Sequence, residues 1–307
     1  MFEHLLVPLD GSKLAESVLP AVAYLAPTLQ SSVMLIHVIE SAAHKEIHGD
    51  RHLTEPGEAL AYLQDAARRR LPESIRVEFH VHEEKEKQLA QSIFRHSHEF
   101  HSEMVILCTH GRHGMRDFLF GSIAQQVIAL GACPVLVLPA EWNRPAQEAR
   151  DFTISKILVP LDGDRQHEQC LPVAAEIARA CRAALHLVMV VPYYEHLTDE
   201  PAAAGRLLPG TALAMLDLAQ EGGEQYLREC SARLEAADIP MSGEVIRGEP
   251  IYQVIQAAED TGSDLIILGT HGKKATDAFW SGSLTPKIAS RTRTPLLLVP
   301  VSHSKAD

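Results

Sequence analysis

The chain has 307 residues, 46% of them hydrophobic and 22% charged, and a formal net charge of −12. That length suits two domains, each able to bury its own core. The acidity is spread evenly, 14 Lys+Arg against 19 Asp+Glu in residues 1–150 and 14 against 21 in 151–307, which excludes a broad positive face for nucleic acid and reads as solubility.

No apolar run approaches the roughly 18 residues that a bilayer span requires. The opening, MFEHLLVPLDG, lacks the basic and long apolar regions of a secretory signal. Five cysteines, an odd count with no Cys-x-x-Cys, fit reduced thiols better than disulfides or a zinc site. The expectation is a cytoplasmic protein with neither a membrane nor a nucleic-acid partner.

In chain order, HLLVPLD (4–10), VMLIHVIE (33–40), EMVILCT (103–109) and PVLVLP (134–139) are near-continuous apolar runs. Runs of this kind are buried on both faces and predict a parallel sheet covered by helices. Residues 75–82 differ, because Ile75, Val77, Phe79 and Val81 alternate with Arg76, Glu78, His80 and His82. That alternation predicts a strand with one wetter face, at or near a sheet edge. Helical patterns near 14–29, 57–71, 86–101 and 122–131 fill the gaps, giving a doubly wound α/β order. Strands recur near 156–162, 184–191, 242–247, 264–269 and 295–300. The domains read as 1–140 and 156–307, joined by a linker at 141–155. Most of the extra length of the second half lies in 192–212, PYYEHLTDEPAAAGRLLPGTA, which reads as a long loop.

The second half repeats the motifs of the first. LLVPLDGS (5–12) returns as ILVPLDGD (157–164), and ILCTHG (106–111) as ILGTHG (267–272). Gly121-Ser122 returns as Gly282-Ser283, and PVLVLP (134–139) as PLLLVP (295–300). A repeat of this length is a whole domain rather than a solenoid unit.

In open α/β sheets, ligands bind at the carboxyl ends of strands where the strand order reverses. Both motifs fall at such ends, so the loops after the first and fourth strands would face each other across one crevice. Gly121-Ser122 and Gly282-Ser283 would open the last helix of each half. A helix N-terminus presents N–H groups suited to phosphate, and glycines let the backbone approach an anion closely. Asp10 and Asp162 are placed to accept hydrogen bonds from a ribose or an adenine edge. These residues describe chemistry for holding a nucleotide.

The spacing Gly-x-x-Gly-x9-Gly-Ser, complete at Gly269, Gly272, Gly282 and Ser283, together with the Val-Pro-x-Asp-Gly strand end, resembles the universal stress protein family. The resemblance covers essentially the whole chain as two tandem copies. It implies two Rossmann-like domains, each a five-stranded parallel sheet of order 3-2-1-4-5. It also implies that the last strands pair antiparallel, 134–138 with 295–299, so that the chain forms an intramolecular pseudo-dimer. A homodimer of such pseudo-dimers stays open. Some members bind ATP through the glycine motif and the first aspartate, while others lack the motif and do not.

By that resemblance the second-half site comprises Pro160, Asp162, Gly269, His271, Gly272, Gly282 and Ser283, and the first-half site Pro8, Asp10, Gly111, Gly121 and Ser122. The implied ligand is ATP or another adenine nucleotide, with or without Mg. Three departures stand out: Cys108 where the second half has Gly269, Asp164 where the first has Ser12, and Lys87 where the second has Gly248. A side chain at 108 would crowd a ligand, which ranks the second-half site first.

Other features point to no catalysis. His110 and His271 match, but no partner acid or nucleophile recurs beside them. There is no Gly-x4-Gly-Lys-Ser/Thr phosphate loop. His44, His48 and His52 are spaced by four and would share a face if helical, and His96, His98 and His101 form a second cluster. Both are read as solvated histidines, with no metal. The leading function is a nucleotide-binding regulatory module in stress response that is not an enzyme. An interaction scaffold with degenerate pockets or a non-nucleotide ligand, and a slow ATPase, remain as alternatives.

Overall fold

The computed structural model describes residues 2–40, 46–47, 50–51, 53–84, 88–109, 122–131, 133–139, 152–191, 209–234, 238–271 and 284–301. The first half runs β1 (His4–Pro8), a 3-10 turn (Ala15–Val18), α1 (Leu19–Leu29), β2 (Ser32–Glu40), a miniature hairpin of β3 (Glu46–Ile47) and β4 (Asp50–Arg51), α2 (Pro56–Arg70), β5 (Val77–Glu84), α3 (Leu89–Glu99), β6 (Met104–Cys108), α4 (Ser122–Leu130) and β7 (Val135–Leu138). The second half runs β8 (Lys156–Leu161), a 3-10 turn (His167–Gln169), α5 (Cys170–Cys181), β9 (Ala184–Val191), α6 (Pro209–Leu234), β10 (Met241–Arg247), α7 (Pro250–Asp260), β11 (Leu265–His271), α8 (Leu284–Ala289) and β12 (Leu296–Val301).

Ten of these strands form one sheet, in the order β10-β9-β8-β11-β12-β7-β6-β1-β2-β5. Each half contributes five parallel strands in the order 3-2-1-4-5, and the halves meet where β12 pairs antiparallel with β7. In that register Leu297 stands opposite Leu136, flanked by Leu296 opposite Val137 and Leu298 opposite Val135. The alternating strand at 77–84 is an outer edge, as its wetter face predicted.

Side-chain alternation along the strands divides the core into two layers. Leu5, Val7, Ile106, Leu136, Ile157, Val159, Ile267 and Leu297 share one layer with buried residues of α1, α2 and α5. Leu6, Val105, Val135, Leu158, Ile266 and Leu298 share the other with residues of α3, α4, α7 and α8. Both layers contain side chains from both halves. The end of the sequence-defined linker joins the first layer: Phe152 and Ile154 are buried, and the Phe152 ring meets Tyr24 of α1 edge-on at 5.7 Å.

Two expectations change. Residues 209–212 of the expected loop form the first turn of α6, with Pro209 at a helix start where its missing N–H and fixed φ are tolerated; residues 192–208 lie outside the described residues. Around His44, His48 and His52 the described residues form the β3–β4 hairpin rather than a helix, and those three histidines themselves lie outside the described residues. Among the described residues no helix is long and apolar enough to cross a membrane.

Leu136 and Leu297 are 1% and 0% exposed. Leu136→Ala and Leu297→Ala are each expected to cost about 2–5 kcal/mol. Because the two side chains stand opposite each other, a double-mutant cycle should show a coupling of about 0.5–3 kcal/mol within one unfolding transition. Additive costs and two separate transitions in denaturant would show that the halves fold independently.

Candidate functional site

The reversal of strand order lies between β1 and β6, and again between β8 and β11. These are the shortest parallel ladders in the sheet. β1 and β6 pair only through Leu5–Met104 and Leu6–Val105, and β8 and β11 only through Ile157–Leu265 and Leu158–Ile266. Beyond those pairs the strands continue without pairing to each other, which opens a cleft at their carboxyl ends.

Proline explains part of the opening. The His4 carbonyl accepts from Glu103 N at 2.9 Å, whereas Leu9 N donates to Ile36 O at 2.9 Å. Even-numbered backbone groups of β1 therefore face β6 and odd-numbered ones face β2. Pro8 is next in the even row and has no N–H to give. The second half repeats the device, since the Lys156 carbonyl accepts from Asp264 N at 2.9 Å and Pro160 follows in the same row. The ladder loses a donor just before each aspartate.

Each strand then enters a tight turn. Gly11 and Gly163 hold φ of 93° and 85°, a region costly for other residues. Asp10 Oδ1 accepts from Ser12 N at 2.9 Å and Ser12 Oγ at 2.6 Å, and the buried Ser12 Oγ accepts from Ala15 N at 3.1 Å. In the second half Asp162 Oδ1 accepts from Asp164 N at 3.0 Å. Asp164 is exposed, and its Oδ1 accepts from Gln166 N at 2.8 Å, which gives it a local role in the turn.

The halves then diverge. His167 Nδ1 lies 2.8 Å from Asp162 Oδ2, while the corresponding first-half residue is Ala15. Burial pushes the Asp162 carboxyl up, but the bonds from His167 and the Asp164 N–H outweigh it and hold the group below its ordinary value. The bond to Asp162 raises His167 above the usual imidazole range against its burial.

Cys108 and Gly269 occupy equivalent positions, opposite Leu138 and Val299. A Cβ at Gly269 would lie 3.1 Å from the Cα and O of His167 and from Val301 Cγ1. The glycine thus lets the turn at 167–169 seat against β11. Partly buried Cys108 packs against the first core layer beside the 3-10 turn Ala15–Val18, where burial, then the Asp10 charge, pushes its thiol up to about 12.

Of the sequence-derived site residues, Pro8, Asp10, Pro160, Asp162 and Gly269 are brought to the two clefts. Ser122 opens α4, and His271 ends β11. Gly111, Gly121, Gly272, Gly282 and Ser283 lie outside the described residues. A separate cavity of about 900 Å³ lies along β10 and α6, lined by residues such as Glu224, Arg228 and Glu244. It is at the sheet edge, so strand order and not cavity size locates the site.

Sequence reasoning missed a constellation that recurs in both halves. Arg69 binds both oxygens of Glu16, at 3.1 and 3.2 Å, beside the half-buried Tyr62, whose hydroxyl is buried. Arg233 binds Glu168 at 2.8 Å beside the half-buried Tyr226, whose hydroxyl is buried. Burial raises both phenols first, and the adjacent Glu16 or Glu168 adds to the effect. Each set ties the turn after the site aspartate to the long helix over β2 or β9. The signal was present as Tyr-x6-Arg at 62–69 and 226–233 and as Asp-x5-Glu at 10–16 and 162–168.

The model of the universal stress protein family matches residues 1–139 and again 153–300. The chain belongs to the universal stress protein family. Universal stress protein Slr1230 of Synechocystis is 22% identical over 316 residues, an alignment that covers 96% of this chain and 99% of that protein. Universal stress protein MJ0531 of Methanocaldococcus jannaschii is 25% identical over 144 residues, 47% of this chain and 81% of its own length. A universal stress protein crystal structure from Archaeoglobus fulgidus has the same fold, with a TM-score of 0.63, 16% identity and coverage of 98% and 97%. Two family units per chain, with their last strands paired, account for the duplicated clefts.

In this tandem universal stress protein the His167–Asp162 pair sets a pH signature for the second cleft. Asp162, held low, stabilises the fold above its unfolded value near 3.8, and the contribution is lost as pH falls through its folded value. His167, held high, contributes fully below its unfolded value of 6.5, and its contribution is lost as pH rises through the folded value. The stability difference between the parent and His167→Ala should therefore be largest between about pH 4 and 6.5. It should stay within about 1 kcal/mol because the aspartate is half exposed. Chemical denaturation across pH 3–9 measures it, and a flat difference would remove the ion pair.

Proposed function

We propose that the chain is an adenine-nucleotide-binding regulatory module of the stress response that does not catalyse efficiently. One observation carries this reading: in both halves the first and fourth strands part just before a proline, and an aspartate turn stands at the mouth of the cleft. The carboxylates suit ribose hydroxyls or the adenine edge. The glycine-rich sequences after β6 and β11 would supply backbone N–H groups to the phosphates, with or without Mg. No recurring acid–nucleophile pair accompanies His110 or His271 in the sequence, so a bound nucleotide would be held rather than turned over. A soluble, cytoplasmic setting fits the free cysteines.

A second reading is favoured by one feature. In the second half both oxygens of Asp162 are already engaged, by Asp164 N–H and by His167. A nucleotide there must displace the imidazole, which supports a degenerate second pocket, or one for another ligand, on an interaction scaffold. The clefts can be separated by calorimetry with ATP and Mg. Gly121→Val should weaken binding at the first and Gly282→Val at the second, each by at least about tenfold, and His167→Ala should tighten the second. Unchanged affinity in folded Gly121→Val and Gly282→Val proteins would refute nucleotide binding at these clefts.

A further inference from the structure

Edge strand β5 and helix α3 bring together three histidines that the sequence left apart. His80 and His82 alternate on one face of β5, and His96 projects from α3 beneath them. Their ring centroids lie 4.6 Å apart for His80–His96, 4.6 Å for His82–His96 and 6.2 Å for His80–His82. One ring nitrogen from each falls in a group whose members all lie within 4.8 Å of one another. We propose that His80, His82 and His96 form a divalent-metal site, with zinc as the preferred ion.

Four observations support it. First, Nε2 of His80 and of His96 is buried with no hydrogen-bond partner. Buried polar atoms are normally satisfied, and two orphans converging on one point call for a ligand. Second, the His96 side chain is 7% exposed, and its Nδ1 lies 2.9 Å from Glu99 Oε2. A carboxylate can only accept, so Nδ1 carries the proton and Nε2 presents its lone pair to the cluster. A carboxylate behind a ligating imidazole is the usual outer partner of a zinc histidine. Third, the His80 and His96 rings meet at 59° and the His82 and His96 rings at 71°, so the imidazoles converge on one another rather than stack.

The fourth is the internal control provided by the duplication. His96 and Ala257 occupy the same place in α3 and α7, as shown by the bonds Phe100 N to His96 O and Thr261 N to Ala257 O. Their strand partners correspond too, because Val77 pairs with Val33 of β2 and Met241 with Leu185 of β9. By that register, Glu244 and Ile246 stand where His80 and His82 stand. None of the three equivalent positions in the second half is a histidine, although His186 of the neighbouring β9 bonds Glu244 at 2.9 Å, so the fold does not require histidines at 80, 82 and 96.

Imidazole nitrogens suit zinc at about 2.0–2.1 Å, which in a tetrahedral site puts ligand nitrogens ~3.4 Å apart. The widest gap must close by roughly 1.5 Å on that geometry. His80 and His82 are only partly buried, and water completes the fourth position.

Zinc titration of the chelator-stripped full chain by calorimetry tests the site. One tight equivalent is expected, lost in His96→Gln and in the partly exposed His82→Gln. In Glu99→Gln it should weaken by about 10–100-fold while the metal-free melting temperature stays unchanged. Cobalt(II) should show the strong visible absorption of a four-coordinate site in the parent and not in His82→Gln. The proposal is overturned if no tight equivalent binds, if it persists in folded His82→Gln and His96→Gln, or if it is lost instead in His44→Gln or His48→Gln.

Discussion

The antiparallel seam between β7 and β12 is the contact on which the rest of the molecule depends. In an isolated half the last strand would be a bare edge, buried on both faces and with a row of unpaired backbone groups. Val135 to Leu138 and Leu296 to Val299 are all buried, so such an edge would expose an apolar ladder to water. Pairing the two edges removes both at once. It also merges the helical layers, bringing α1 of one half against α5 of the other. The chain that precedes β8 is drawn into this layer through Phe152 and Ile154. What began as two units is one continuous sheet with two remaining edges, β5 and β10.

Duplication separates what the backbone requires from what the side chains have since become. The prolines, the positive-φ glycines and the Glu–Arg–Tyr ties recur because each fixes the path of the chain around a cleft. Residue pairs such as Ala15 and His167, Cys108 and Gly269, or His96 and Ala257 share a place and no chemistry. Gly269 illustrates the trade. The second half seats a histidine-bearing turn tightly against β11 and so needs a position without a Cβ. The first half carries Ala15 in that turn and tolerates a thiol.

The strands were legible because apolar runs and Asp-Gly turns are local signals, whereas their order and the seam came only through the family resemblance that the doubled motif carries. The edge position of β5 was legible from its alternation alone. The site was legible as far as its turns, Asp10 and Asp162, which follow directly from strand ends. The orientation of Cys108 was not, because a residue at a strand terminus can face a cleft or a core layer, and only the packing of the following turn decides. The His80–His82–His96 cluster escaped for a different reason. The spacing that caught attention, His96, His98 and His101, lies along one chain segment, whereas the contact joins alternate strand residues to a helix beyond a loop. His98 instead meets Phe94, and His101 adopts φ of 51° just past the helix.

The seam has a geometric consequence for how such a chain can work. Strands within a half are parallel and the halves run oppositely, so the carboxyl ends of β1 and β6 lie at one pole of the sheet and those of β8 and β11 at the other. The two clefts look away from each other across the full length of the strands. One ligand cannot bridge them, and two bound bodies cannot collide. The continuous sheet links them only along the strands and through the Leu136–Leu297 register of the seam.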